Sequence, residues 1–187
     1  MNPMSIVVQT NNLGRRFGRR WAVARLDLRI EADERLLIIG PNGCGKTTLL
    51  RLLSTLLPPD QGTIEWFGHA SMNRKPIGLM GHDAGVYEDL SAAENLHVFA
   101  RFIGSEATDI QNLLNTVGLD ERPEPVASYS AGMRRRLALA LLLQKQPKLA
   151  LLDEPFAQMD PGGIAQVSSA INALPGAVVI ASHQVEH

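Results

Sequence analysis

An α/β fold, a mostly parallel sheet with helices on both faces, is what the order of elements in this sequence predicts. Three observations carry that prediction. Short apolar runs at Leu36–Ile39, Ile77–Met80, Leu149–Leu152 and Ala177–Ala181 have the length of buried strands, and segments of helical length lie between them. A glycine-rich stretch, Gly40-Pro41-Asn42-Gly43-Cys44-Gly45-Lys46-Thr47-Thr48, sits between the first run and the first helix and matches G-x-x-x-x-G-K-[ST]. Polar residues gather just past the ends of the runs: Lys46 and Thr47, Asp153 and Glu154, and His183. In open sheets of this kind a ligand binds outside the carboxyl ends of the strands.

Composition bounds the answer. The chain has 187 residues, 45% of them hydrophobic, and a net charge of −1. That is one domain, or one domain with a subdomain, large enough to bury a core. No excess of basic charge argues for nucleic acid as a partner. The apolar runs fall short of a membrane span, and the N-terminus lacks a signal-peptide pattern, so a cytosolic location is expected. The single cysteine, Cys44, excludes an internal disulfide framework and fits a reducing compartment. Flanked by glycines, it is expected to be a small filler rather than a redox switch.

Ser5–Thr10 reads as a strand, and Leu26–Ile30 as another by its alternation. Between them, Leu13–Val23 carries two arginine pairs around Phe17. It is either a basic surface loop or a platform on which Phe17 offers a π face to a base. Leu36–Ile39 reads as a buried parallel strand. In the loop that follows, Gly40, Gly43 and Gly45 let the backbone form a nest of N–H groups around a phosphate chain. The start of the next helix, Thr47–Leu57, adds partial positive charge. Lys46 is placed to bridge β- and γ-phosphates, and the Thr47 hydroxyl to ligate Mg²⁺.

Pro58-Pro59 stops that helix. Thr63–Phe67 is a short strand after the Asp60-Gln61-Gly62 turn, and Ile77–Met80 reads as a central strand ending at Gly81-His82-Asp83. Ser91 and Glu94 have capping-box spacing before a helix that ends near Gly104. A second helix runs from about Thr108 to Val117. Together they suggest a small helical insertion in the α/β core. Tyr129–Met133 precedes a long helix from Arg134 to about Gln146, whose Arg134-Arg135-Arg136 run reads as a solvated face. Leu149–Leu152 is a buried strand. A helix over Gly162–Ala173 leads to the last strand, Ala177–Ala181. Four apolar residues followed by Asp153 form a Walker B strand whose aspartate reaches Mg²⁺ through water. Adjacent carboxylates at a strand end are a costly structural choice. That favours Glu154 as the group that polarises attacking water, and makes His183 a candidate γ-phosphate sensor.

With these motifs in this order, the whole chain resembles the nucleotide-binding domain of ABC transporters. The resemblance rests on the phosphate loop Gly40–Thr48, the signature-like Tyr129-Ser130-Ala131-Gly132-Met133, Asp153-Glu154, a D-loop-like Ala157–Asp160, and His183. It implies a P-loop NTPase with N-terminal antiparallel strands, a core of about residues 1–82 and 147–187, and a helical subdomain at about 83–146. It implies ATP and Mg²⁺, and an ATP-dependent homodimer holding two ATP molecules head to tail. Ser130 and Gly132 would then act on the γ-phosphate held by the opposite subunit, so an isolated monomer should hydrolyse poorly. It further implies integral membrane transporter subunits and a peripheral place on the cytoplasmic face of the membrane.

The sequence departs from the commonest family pattern in three places. The signature reads Tyr-Ser-Ala-Gly-Met rather than Leu-Ser-Gly-Gly-Gln. His82 stands where a glutamine usually contacts Mg²⁺ and water. Imidazole is the weaker Mg²⁺ ligand, so metal contact and a water-mediated role both stay open. The sequence ends four residues after His183, and no regulatory C-terminal domain is expected. Gly81-His82, the Ser-Ala-Gly of the signature and Asp153-Glu-Pro-Phe156 look most like the ATPases of cytochrome c biogenesis haem exporters. ATPases of other small drug, lipid or polysaccharide exporters are the alternative. A soluble ABC protein acting on DNA or ribosomes is a more remote one, since it would carry two nucleotide domains or long coiled-coil arms.

Overall fold

The computed structural model describes residues 6–70, 76–82, 85–105 and 109–183. Ser5, Asp83, Thr108 and the residues after His183 lie outside the described residues. The chain opens with β1 (Ile6–Phe17), β2 (Arg20–Leu26) and β3 (Arg29–Glu31), which with β5 (Gln61–Trp66) make an antiparallel sheet in which β1 pairs with all three others. The second sheet is wholly parallel. It is built from β4 (Arg35–Ile39), β6 (Ile77–Met80), β7 (Leu149–Asp153) and β8 (Ala177–Ser182) in the order β4-β8-β7-β6. One face of it packs on α1 (Lys46–Leu53) and the inner face of the antiparallel sheet, around Leu13, Ile30, Leu50, Leu53, Leu149 and Leu151. The other face packs on α2 (Ala92–Ile103), α3 (Ile110–Thr116), α4 (Ala131–Lys145) and α5 (Pro161–Asn172), around Leu96, Leu114, Leu139, Leu152 and Ile171. Leu151 and Leu152 are neighbours in β7 yet belong to opposite cores, as a period of two demands. Among the described residues no helix is long and apolar enough to cross a membrane.

Several expectations need correcting. The basic loop at Leu13–Val23 is a hairpin: β1 runs on to Phe17 and β2 returns from Arg20, pairing Arg16 with Trp21 and Phe17 with Arg20. The arginines concealed it because they break hydrophobic alternation, while their guanidinium groups stack instead on Phe17 at 5.3 Å and Trp21 at 5.8 Å. Leu26–Ile30 is not one strand; the Thr10 hydroxyl donates to Leu26 O and accepts from Leu28 N, bridging the break between β2 and β3. β4 is parallel but lies at a sheet edge, leaving Leu37 45% and Ile39 49% exposed. β6 is also an edge strand, apolar because α4 covers it: a Cβ on Gly78 would meet Leu142 at 2.2 Å. The first helix stops at Ser54, four residues before Pro58, because Thr55 enters the left-handed region at φ 64. The long helix starts at Ala131 rather than Arg134, with Ser130 as its N-cap.

The capping box of α2 is present in full. Ser91 N donates to Glu94 Oε2 at 2.8 Å and Glu94 N donates to Ser91 Oγ at 3.2 Å. The Ser91 amide, then its hydroxyl, hold the Glu94 carboxyl below its usual range. A lowered folded-state pKa contributes stability above the ordinary carboxylate range and loses it as pH falls through the lowered value. Ser91→Ala removes the hydroxyl that caps the Glu94 amide and should cost about 1 kcal/mol in urea unfolding near neutral pH. The gap between wild type and variant should narrow as pH falls through the carboxylate range.

Candidate active site

The carboxyl ends of the parallel strands and the β1–β2 hairpin surround one cleft of about 610 Å³. Phe17, Arg20 and Ala22 line it from the hairpin, and Asn42, Gly43, Gly45, Lys46, Thr47 and Thr48 from the loop and first turn after β4. His82 lines it from the end of β6, Asp153, Glu154 and Ala157 from the end of β7, and His183 from the end of β8. Tertiary structure thus brings together residues 17 to 183. Cys44 is exposed and is not among the lining residues.

The loop has this shape for a steric reason. Gly43 and Gly45 hold φ of 77 and 108, and a Cβ on Gly45 would sit 2.0 Å from Ala22 O. Only glycine allows the loop to pass so close to β2. α1 then begins with Lys46, Thr47 and Thr48 lining the cleft. Lys46 is buried, and its Nζ donates to Gly40 O at 2.6 Å and Pro41 O at 3.2 Å, the loop's own carbonyls. The Thr47 hydroxyl donates to Asp153 Oδ2 at 2.6 Å. A hydroxyl and a carboxylate in contact, both lining the cleft, make a hard oxygen donor set. That set fits Mg²⁺, which takes few protein ligands alongside water and phosphate.

Glu154 has the most demanding environment. Its backbone is left-handed at φ 51. Oε2 lies 2.9 Å from His183 Nδ1, where the tautomer protonated at Nδ1 donates to the carboxylate. Oε1 is buried, accepts no hydrogen bond, and lies 3.8 Å from Lys46 Nζ. A buried polar atom without a hydrogen bond is costly, and here the Lys46 ammonium supplies the opposite charge to Oε1. That oxygen is free to accept a hydrogen bond from a molecule entering the cleft.

Ser130 and Gly132 are not among the lining residues of that cleft. They stand at the N-terminus of α4, where Ser130 Oγ accepts from Met133 N at 3.2 Å. A Cβ on Gly132 would meet Gln158 O at 2.9 Å, so the residue lets α4 approach the segment after β7.

The arginine run is not a uniform solvated face. Arg134 pairs at the surface with Glu88, and Arg136 donates to Gly118 O at 2.7 Å. Arg135 is only 7% exposed; its Nη2 donates to Asp153 O and its Nε to Glu154 O, both at 2.8 Å. Burial lowers its pKa, against the opposing pull of Asp153 and Glu154; the guanidinium stays charged. Its place was legible in the spacing: Arg135 shares a helical face with Ala138, Leu139 and Leu142, all buried. Arg20 was also missed; it faces the cleft because β2 pairs it with Phe17.

Comparison with known proteins agrees with this geometry. The ABC transporter family model matches residues 23–157. The daunorubicin resistance ATP-binding protein DrrA3 of Streptomyces coeruleorubidus is 41% identical over 87% of this chain and 54% of its own length. The chain therefore spans about half of that relative. The cytochrome c biogenesis ATP-binding export protein CcmA of Nitrosococcus oceani is 36% identical over 94% of this chain and 85% of its own. A solved ABC transporter ATP-binding protein from Pyrococcus furiosus superposes with a TM-score of 0.86 at 25% identity, covering 95% of this chain and 92% of that one. A P-loop fold with an antiparallel N-terminal sheet, the cleft at the parallel strand ends and the matched family model lead to one conclusion: the chain belongs to the ABC transporter family, as an ATP-binding and ATP-hydrolysing domain.

Proposed function

We propose that this chain is the motor of an exporter, hydrolysing ATP as one half of a homodimer to drive separate integral membrane subunits. The observation that carries the mechanism is the buried Glu154 Oε1, which accepts no hydrogen bond and lies between Lys46 and His183. In this reading ATP lies with its base on Phe17, 55% exposed at the cleft rim, and its phosphates in the amide nest of Gly40–Thr48. Lys46 exchanges the loop carbonyls for phosphate oxygens. Thr47 and Asp153 hold Mg²⁺, which shields phosphate charge when bound. Glu154 orients a water and takes its proton as the water oxygen bonds to the γ-phosphorus and the bond to the β–γ bridging oxygen breaks. His183 steadies the Glu154 carboxylate and lies within reach of the γ-phosphate. The exposed imidazole of His82 acts through water. Residues 1–82 and 147–187 serve as the nucleotide core, and the helices of 83–146 as the unit that meets the membrane subunits on the cytoplasmic face. Ser130 and Gly132 present an anion site to the ATP of the second copy, since a capped helix start offers amides and partial positive charge.

We further infer that the cargo is handled in haem export for cytochrome c maturation. The CcmA relatives support this, matching 82% and 94% of the chain. The 41% identity to a daunorubicin resistance protein favours drug export as the second reading.

Lys46→Ala should abolish ATP binding in calorimetry, because phosphate charge is left uncompensated. Phe17→Ala should weaken ATP but leave tripolyphosphate binding unchanged; equal losses would remove the stacking role. Glu154→Gln should keep ATP affinity, slow hydrolysis by about 10²-fold or more, and accumulate an ATP-bound dimer in light scattering. In cells, deleting the gene should abolish covalently attached c-type haem while leaving b-type haem spectra intact. Wild type should restore it and Glu154→Gln should not. Unchanged c-type cytochromes would turn the assignment toward drug export.

A further inference from the structure

Glu154 needs a mechanical explanation. A residue with a Cβ at φ 51 occupies a sparsely populated region, and the direction of its carboxylate depends on keeping that backbone. The peptide plane before its Cα carries the Asp153 carbonyl, and the plane after it carries its own carbonyl. Those two planes define φ and ψ. Both carbonyls accept from a single side chain, Arg135, through Nη2 and Nε at 2.8 Å each. The following residue is Pro155, which has no N–H to contribute. Glu154 N donates to Ala181 O at 2.9 Å, tying the same turn to β8. The guanidinium is rigid and planar, so one fork sets both planes together. It is fixed in turn by α4, whose neighbouring Leu137, Leu139 and Leu142 lie in the core.

We propose that Arg135 is a positioning residue for ATP hydrolysis: gripping both peptide carbonyls around Glu154, it holds that carboxylate at the cleft floor. The proposal rests on the reading of Glu154 as the group that polarises water. It adds a direct link between α4, whose N-cap is Ser130, and the backbone on either side of the Glu154 Cα in the same chain.

The test is a double-mutant cycle between Arg135→Met and Glu154→Gln, with rates read at protein concentrations where specific activity no longer rises. Arg135→Met should lower kcat about 10- to 100-fold, the scale of a misplaced catalytic group. ATP affinity by calorimetry should stay within about twofold. In the Glu154→Gln background, Arg135→Met should change the residual single-turnover rate by less than about threefold, because the group it positions is already gone. Arg135→Lys, which reaches one carbonyl at a time, should give an intermediate kcat. If the methionine variant does not fold, the lysine variant carries the same cycle. Slow hydrolysis in Glu154→Gln with an unchanged kcat in the folded Arg135 variant would overturn the positioning role alone. Multiplicative losses in the double variant would overturn it too, by placing the effect of Arg135 elsewhere. Normal hydrolysis in Glu154→Gln would instead overturn the reading of Glu154, and this proposal with it.

Discussion

The parallel register of three strands is the constraint on which everything at the cleft depends. Ile39 pairs with Ser182, and Asp153 with Ala181. The residues that follow, Gly40, Glu154 and His183, therefore leave the sheet side by side although they are far apart in sequence. Each strand has only to end on time. A slip of one residue would carry Asp153 out of reach of Thr47 and turn every side chain of the slipped strand to the opposite face. β7 and β8 resist such a slip because each of their faces has its own core to fill, and β4 because only its Leu36 and Ile38 face is covered.

Around that register the chain spends stability at specific points. Asp153 is buried and satisfied by Thr47, and Lys46 by the loop carbonyls. Glu154 is treated differently, with a left-handed backbone, one oxygen held by His183 and the other left without a hydrogen bond. Backbone strain and a carboxylate oxygen without a hydrogen bond at one residue are tolerated only where surroundings determine them. Here the surroundings are β8 through Ala181 and α4 through Arg135.

The two sides of the sheet have different work. On one, α1 and the antiparallel sheet set the phosphate loop against β2, so Ala22 O limits position 45 to glycine. On the other, one continuous core runs from α2 and α3 through α4 into β7 and β8. α4 lies across that core with the Ser130 cap at its start and Arg135 further along the same rod. No loop intervenes between that cap and the side chain that bonds the carbonyls beside Glu154.

The sequence by itself determined the parallel core, the phosphate loop and the identities of Lys46, Thr47, Asp153, Glu154 and His183. These rest on local signals: apolar runs of strand length, glycines between strand and helix, and polar residues where a strand must stop. It also determined the α2 cap, since Ser91 and Glu94 need only their own spacing. Tertiary structure alone decided the β1–β2 hairpin, because arginines hide strand alternation and cross-strand stacking makes up for it. It decided that β4 and β6 are edge strands, since neighbours in a sheet are not written in any one strand. It decided which groups the inward-facing Arg135 meets, because the carbonyls that accept from it lie 18 and 19 residues away on another element. Local spacing sets what a residue can do; which distant carbonyl, carboxylate or face it meets is set only when the strands come into register.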